Sequence, residues 1–292
     1  MSVKRTKDVM KSQAAPRNQG PTRRKIARFG WKPDLPDQRD YTYAVPASVA
    51  RRGLSDSVDL RSEFTMDLYD QEHIGSCTAN AIGCAIEFCR LKQSLSDWVP
   101  SRLFIYYNER EIEGTVGFDA GAHIRDGIKS VASQGACREN PTWQYDGRPA
   151  DPVTGAFPHG HRGGMKPSAG AFTEAANNKV LEYRSISQNL ADMKGCLNEG
   201  FPFVIGFSVY ESFESPDVAN TGWVPMPDSD EAVIGGHAVL VVGYNDDDQV
   251  FICRNSWGAG WGDEGYFYMP YSYLLDDNLS DDFWTIRIVD NN

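Results

Sequence analysis

Four residues, far apart in the chain, are of types that together do nucleophilic chemistry. Cys77 opens an apolar, helix-like stretch, Thr78 to Leu95, and Gln71 stands six residues ahead of it in Gln71-Glu72-His73-Ile74-Gly75-Ser76-Cys77. A thiol at a helix N-terminus faces the positive end of the macrodipole, which favours thiolate. His237, in Gly235-Gly236-His237-Ala238, can take a proton from that thiol and return it to a leaving group. Asn255, in Arg254-Asn255-Ser256-Trp257-Gly258, can accept a hydrogen bond from the other ring nitrogen and fix the tautomer, with Trp257 covering that bond. The Gln71 amide and the Cys77 N–H are donors suited to a developing oxyanion. Each residue also has a plainer reading. A lone cysteine is more often a small buried hydrophobe, and that reading is kept for Cys84, Cys89, Cys137, Cys196 and Cys253. His73, close to Cys77 in sequence, is the rival base.

The elements that must position these residues change character half-way along. Apolar residues at three- and four-residue steps predict a buried helix from Cys77, with further helices over 101–111 and 124–132. Residues 146–172, rich in Gly and Pro, predict a long loop, the kind that is usually functional or mobile. A short helix at 190–197 is followed by apolar runs at 203–210, 237–244 and 250–253 and by Tyr266-Phe267-Tyr268, all of which read as strands. The expected fold class is α+β. An arm over 1–56 precedes a mainly helical lobe over 57–175, which carries the cysteine. A mainly β lobe over 176–292 carries the histidine and asparagine.

Charge is divided unevenly. Residues 1–30 hold nine Lys/Arg and one acid, a net of +8, whereas the remainder holds 20 basic and 39 acidic residues, a net of −19. A basic arm of this kind suits nucleic acid, solvent, or the acidic body of its own chain; the last is favoured here and nucleic acid is unlikely. Trp31, Tyr41 and Tyr43 are available to anchor it. No apolar run approaches the roughly 18 residues of a membrane span, and no secretory h-region is present, so the default compartment is the cytoplasm. Cys77, Cys84 and Cys89 share one helix and cannot bridge one another, which predicts free thiols. His159 and His161 are weak evidence for a metal site, and neither a metal nor a cofactor is expected.

Gln71 with Gly75-Ser76-Cys77, Gly236-His237-Ala238-Val239 and Asn255-Ser256-Trp257-Gly258-Ala259-Gly260-Trp261-Gly262 together resemble the papain family of cysteine peptidases, in its bacterial form. The likeness runs from about Val58 to Met269. It implies a two-lobed papain-like fold, the β lobe being barrel-like and antiparallel, with a cleft between the lobes. It also implies endopeptidase action on a peptide or protein substrate through a thioester. Cys77, His237, Asn255 and Gln71 are the implied catalytic residues, and Gly75, Ser76, Gly121, Gly236, Ala238 and Trp257 the implied substrate-binding ones. By the same resemblance the N-terminal segment is a short inhibitory propeptide lying along the cleft. Ile74 and Thr78 depart from the family pattern, and the spacing from Cys77 to His237 is long. Three other outcomes stay open: a silent binding protein, an acyltransferase, and an exopeptidase whose loop 146–172 caps the cleft.

Overall fold

The computed structural model describes residues 24, 25, 28–35 and 37–290. Helix α1 (Ala47–Arg52) and the short strand β1 (Ser57–Asp59) precede three longer helices, α2 (Cys77–Lys92), α3 (Arg102–Glu113) and α4 (Ile124–Ser133). Helix α5 (Ala169–Ala175), strand β2 (Val180–Ser185) and helix α6 (Leu190–Asn198) lead into the strand-rich half. That half holds β3 (Phe203–Tyr210), α7 (Pro216–Thr221), β4 (Val233–Asn245), β5 (Val250–Arg254), β6 (Tyr266–Pro270), α8 (Tyr271–Leu275) and β7 (Ser280–Val289). The strands form one antiparallel sheet in the order β2-β7-β3-β4-β5-β6, with β1 also paired to β4. The architecture is α+β, as the change of period predicts.

Helix α2 is the element the rest closes around. It packs on β4 on one side and on α3 and α4 on the other, so residues Cys77 to Arg90 are all buried. Ala79, Ala81, Gly83, Cys84 and Ala85 keep its girth small; at Gly83 the side chains of Arg102, Tyr69 and Ile105 come in at van der Waals contact. Strand β4 is buried from His237 to Tyr244. A strand with both faces covered shows no alternation, which is why it reads as a continuous apolar run.

Strands β2 and β7 and helix α7 are not evident from the sequence. Strand β7 lies inside the sheet between β2 and β3 and is buried on both faces, including Ser280, Asp282 and Thr285. Polar residues there break both the apolar run and the alternation. The 146–172 stretch is a loop only in part. It includes a helical turn at Arg162–Gly164 and leads into α5. Asp146 accepts from Arg148 and from the Arg162 N–H, and Arg110 donates to the Gly163 carbonyl.

One buried cation ties the helices to the chain ahead of Cys77. Arg102 donates to both oxygens of Glu139 (2.9 and 2.7 Å), to Asn80 Oδ1 on α2 (3.1 Å) and to the Asp70 carbonyl (3.2 Å). Its guanidinium also lies over the Tyr145 and Tyr69 rings. Removing one member of a buried ion pair strands the other, so Arg102→Ala should destabilise the protein by about 3–5 kcal/mol. Arg102→Lys, without the planar fork, should recover only part of that. Thermal or denaturant unfolding of the two variants measures both.

Candidate active site

Cys77 occupies the first helical position of α2 and has no exposed surface. The preceding residue, Ser76, does not cap the helix. Its hydroxyl meets Tyr145 Oη (2.8 Å) and the Asn80 amide (3.0 Å) instead. The first-turn N–H groups of α2 therefore carry no side-chain cap, and they give this end its positive field. Thr78, where the family pattern leads one to expect an aromatic, turns inward and donates to Glu109 Oε2 (2.9 Å). The N–H groups of Ala238, Gly30 and Thr78 point at the Cys77 sulfur, but burial outweighs them and pushes the thiol up to about 12.

His237 is likewise fully buried, and Ala238, whose N–H faces the sulfur, is the next residue of β4. Its Nε2 lies 2.8 Å from Asn255 Oδ1, while Nδ1 has no hydrogen-bond partner among the described residues. Asn255 follows the end of β5, and pairing of β4 with β5 brings it back towards the histidine. Trp257 stacks on the imidazole, centroids 4.9 Å apart and planes 30° apart, and Phe207 meets it edge-on at 5.7 Å. Burial is the largest influence on the ring and pulls His237 down to about 4, against the pull of its bond to Asn255. Trp257 thus sits against one face of the His237 ring.

The Gln71 side chain is oriented by two bonds. Its Oε1 accepts from Ser256 Oγ (2.7 Å), and one Nε2 hydrogen goes to the Ile74 carbonyl (2.9 Å), leaving the second. Its backbone N–H donates to the Ser256 carbonyl, so the Gln71 and Asn255 segments are laced together. The loop then turns sharply through Glu72, a non-glycine residue at φ 51°. Gly75 donates to both oxygens of Asp119 (3.1 and 3.0 Å), and Asp119 also takes the Tyr106 hydroxyl (2.6 Å). Sequence reasoning overlooked Asp119 and Tyr106, since nothing in a lone Asp or Tyr signals that it braces a loop 44 residues away.

The N-terminal arm runs directly over these groups. Trp31 N–H donates to the Gly236 carbonyl (2.9 Å), Ala122 N–H to Gly30 (2.7 Å) and Lys32 N–H to Ala122 (3.2 Å). Gly30 fits so closely that a Cβ there would stand 1.8 Å from the Gly75 oxygen and 3.1 Å from Cys77 Sγ. Phe29 meets the His237 ring edge-on at 6.3 Å. The residue that pairs with the arm is therefore Ala122 rather than Gly121, whose N–H is taken by Tyr106 Oη (3.0 Å) and whose φ is 68°. Charge crosses the contact in both directions. Arg24, Lys25 and Lys32 meet Glu214, Asp70 and Glu113. Further on, Asp34 and Asp40 meet Arg125. Residues 1–23, which hold most of the basic run, lie outside the described residues.

Other candidate residues sit elsewhere. His73 Nδ1 is 3.0 Å from the Lys25 carbonyl, and His123 faces Asp34. His161 is buried within its loop, Nδ1 accepting from the Gly163 N–H and Nε2 facing the Arg148 carbonyl, while His159 is exposed. All six cysteines are unpaired and buried.

The description "Papain family cysteine protease" fits residues 54–274 of this chain. The chain belongs to the papain family. It is a papain-like cysteine peptidase with the papain-like α+β fold. It is similar to xylellain, a cysteine protease from Xylella fastidiosa, at 45% identity over 91% of this chain and 97% of that one, with a TM-score of 0.85. It is 41% identical to an uncharacterized peptidase C1-like protein of Acanthamoeba polyphaga mimivirus, over 89% of this chain and 87% of that protein. The fold is also shared, at 18% identity and a TM-score of 0.63, with digestive procathepsin L 3 of Tenebrio molitor, over 86% of this chain and 75% of that one.

With the arm in place, thiolate is populated only towards pH 12 and imidazolium only towards pH 4, so between these values both groups are neutral. Alkylation of Cys77 in the full chain should therefore be at least about tenfold slower at pH 7 than in a chain that begins at Tyr41. Iodoacetamide labelling read by peptide mass tests this, and equal rates in the two chains would contradict it.

Proposed function

We propose that this peptidase is an endopeptidase that acts through a thioester and is latent while residues 28–32 cover Cys77. The carrying observation is the dry imidazole of His237, held by Asn255 at Nε2 and free at Nδ1, next to a thiol at an uncapped helix start. Once the arm lifts, the Cys77 proton passes to His237 Nδ1 and the sulfur attacks the peptide carbonyl carbon. The oxyanion takes the Cys77 N–H and the second Nε2 hydrogen of Gln71. His237 then protonates the leaving amine, and a water deprotonated by the same ring hydrolyses the thioester. Gly75 and Gly236 line the path the arm takes, and a substrate backbone would follow the same rims. Asn255→Ala should lower kcat by about 10²-fold by freeing the ring, and Gln71→Ala by about 10²–10³-fold through loss of an oxyanion donor.

What holds the arm is chiefly apolar. Exposed ion pairs such as Lys25–Asp70 contribute about 0–1 kcal/mol each, whereas burying Trp31 contributes about 2–3 kcal/mol. Salt should therefore relieve latency less than Trp31→Ala does. The detachable part ends at or before Asp40, because Tyr43 and Val49 are buried in the body and Tyr43 N–H bonds to the Ser185 carbonyl. A chain starting at Tyr41 should hydrolyse protein substrate at least tenfold faster than the full chain. Equal rates would remove the latency reading.

Acid should release the arm. His237 is held below its ordinary value in the covered state, so that state binds fewer protons and is disfavoured as pH falls through the free histidine range towards about 4. Burial raises the Glu214 carboxyl, so its attraction for Arg24 also weakens as pH falls. Full-chain activity should rise on incubation near pH 4–5, and a fall in Cys77 labelling there would count against the mechanism. An epoxide inhibitor separates this peptidase from a silent homologue, which would leave Cys77 unmodified. Incorporation of a labelled amine into product would favour acyl transfer over hydrolysis.

A further inference from the structure

Asp119 is buried, and its two oxygens are taken up by the Gly75 N–H and the Tyr106 hydroxyl. That hydroxyl is itself fixed, because it also accepts from the Gly121 N–H (3.0 Å). The fully buried Arg110 lies over the Tyr106 ring, 3.8 Å from its centroid. It gives its hydrogen bonds to the carbonyls of Tyr106, Val116, Phe118 and Gly163, so its charge is left to answer that of Asp119 at longer range. From the other side, Asp119 N–H donates to the Gly155 carbonyl (2.7 Å) and Phe157 N–H to the Gly117 carbonyl (3.1 Å). Residues 155–157 thus lie antiparallel along 117–119, and the 146–172 stretch backs the carboxylate.

What so much structure holds is one peptide unit. The Gly75 N–H and the Ile74 carbonyl are the two ends of a single plane. Asp119 grips the first end, and the second accepts from Gln71 Nε2 (2.9 Å). A buried carboxylate is therefore joined, through one peptide plane, to the amide whose second hydrogen is left for the oxyanion. Its charge polarises the unit and makes the Ile74 carbonyl a stronger acceptor. Rotation of the plane would carry the Ile74 oxygen away from Gln71, and Gly75 has no Cβ to resist it. We propose that Asp119 is a positioning residue of the oxyanion hole: it fixes the Ile74–Gly75 peptide and, through it, the Gln71 amide. It touches neither the substrate nor the reacting atoms. The inference rests on the peptidase reading, since only a reaction that develops an oxyanion uses that donor.

The test compares two probes of Cys77 in the full chain. With a peptide aldehyde, the sulfur bonds to the carbonyl carbon, the π pair moves onto oxygen, and the thiol proton ends on that oxygen. The new oxygen lies where the oxyanion would. Methyl methanethiosulfonate instead transfers a methylthio group to the sulfur as methanesulfinate leaves, and it makes no oxyanion. Both probes need the arm to lift, so comparing them removes that step. Asp119→Asn keeps the shape but sets an amide nitrogen where an oxygen accepted. It should weaken the aldehyde and lower kcat by about tenfold or more, with KM within about threefold and methylthiolation within about twofold of the parent. Tyr106→Phe, which leaves Asp119 with the Gly75 N–H alone, should show the same split at smaller size. That variant keeps the test decisive if Asp119→Asn folds poorly.

Gln71→Ala closes the cycle. In that chain Asp119→Asn should change aldehyde affinity by less than about twofold, because no amide is left to place. An Asp119→Asn effect of the same size with and without Gln71 would overturn the proposal. So would equal aldehyde affinity in the parent and Asp119→Asn. Methylthiolation that falls in step with aldehyde affinity would overturn it as well, by showing a general loosening around Cys77. No hydrolysis by any variant, with the split between the two probes intact, would count against the peptidase reading alone.

Discussion

The burial of a single thiol is the constraint from which the other features follow. Cys77 heads a helix closed in by β4 on one side and by α3 and α4 on the other. In such surroundings a lone thiolate is unfavourable, and the uncapped helix start offsets only part of the penalty. Ionisation then depends on a partner that can hold the proton at short range. His237 meets that need because it precedes the residue whose N–H faces the sulfur. Asn255 and Trp257, arriving from β5, keep the ring in one tautomer and dry. The polar shell around them makes the geometry stiff: Arg102 grips Glu139, Asn80 and the Asp70 carbonyl, and Asp119 grips Gly75.

The same physics underlies the latency we propose, in which covering the cleft silences the site without altering it. The arm need not displace His237 or Cys77. It has only to exclude water and seat Gly30 against the sulfur, and both groups turn neutral. Because the recess beneath Trp31 is floored by glycine, the arm gains much of its hold from one indole, while exposed ion pairs such as Lys25–Asp70 add little.

Legibility differed from residue to residue for physical reasons. Helix α2 showed itself through its broad apolar arc, and β3, β4 and β5 through unbroken apolar runs, because each is covered on both sides. Strand β7 is buried from Asp282 to Ile286, yet Asp282 and Thr285 interrupt its pattern. Those polar residues are paired across space, Asp282 with Trp31 a distance of 251 residues away in sequence. Trp31 could be picked out as an anchor by its type, but not the recess that receives it. Tyr41, an equal candidate by type, stays exposed, whereas Tyr43 is buried. Gly121 was one residue from the pairing position, since a short glycine-bearing loop carries no periodicity to set its register.

Residue types and their local spacing were enough to determine the family, the α+β class and the buried helix that opens at Cys77, and to single out Gln71, His237 and Asn255 as candidates. Those features rest on short segments whose chemistry is written in adjacent residues. Only the tertiary structure decided that Ala122 pairs with the arm, that Asp119 and Tyr106 brace the Gly75 loop, and that Asp282 ends the recess under Trp31. Each of these is a contact between groups tens to hundreds of residues apart. A side chain's partner at such a distance is set by how strands and helices pack, and nothing in its own neighbourhood records it.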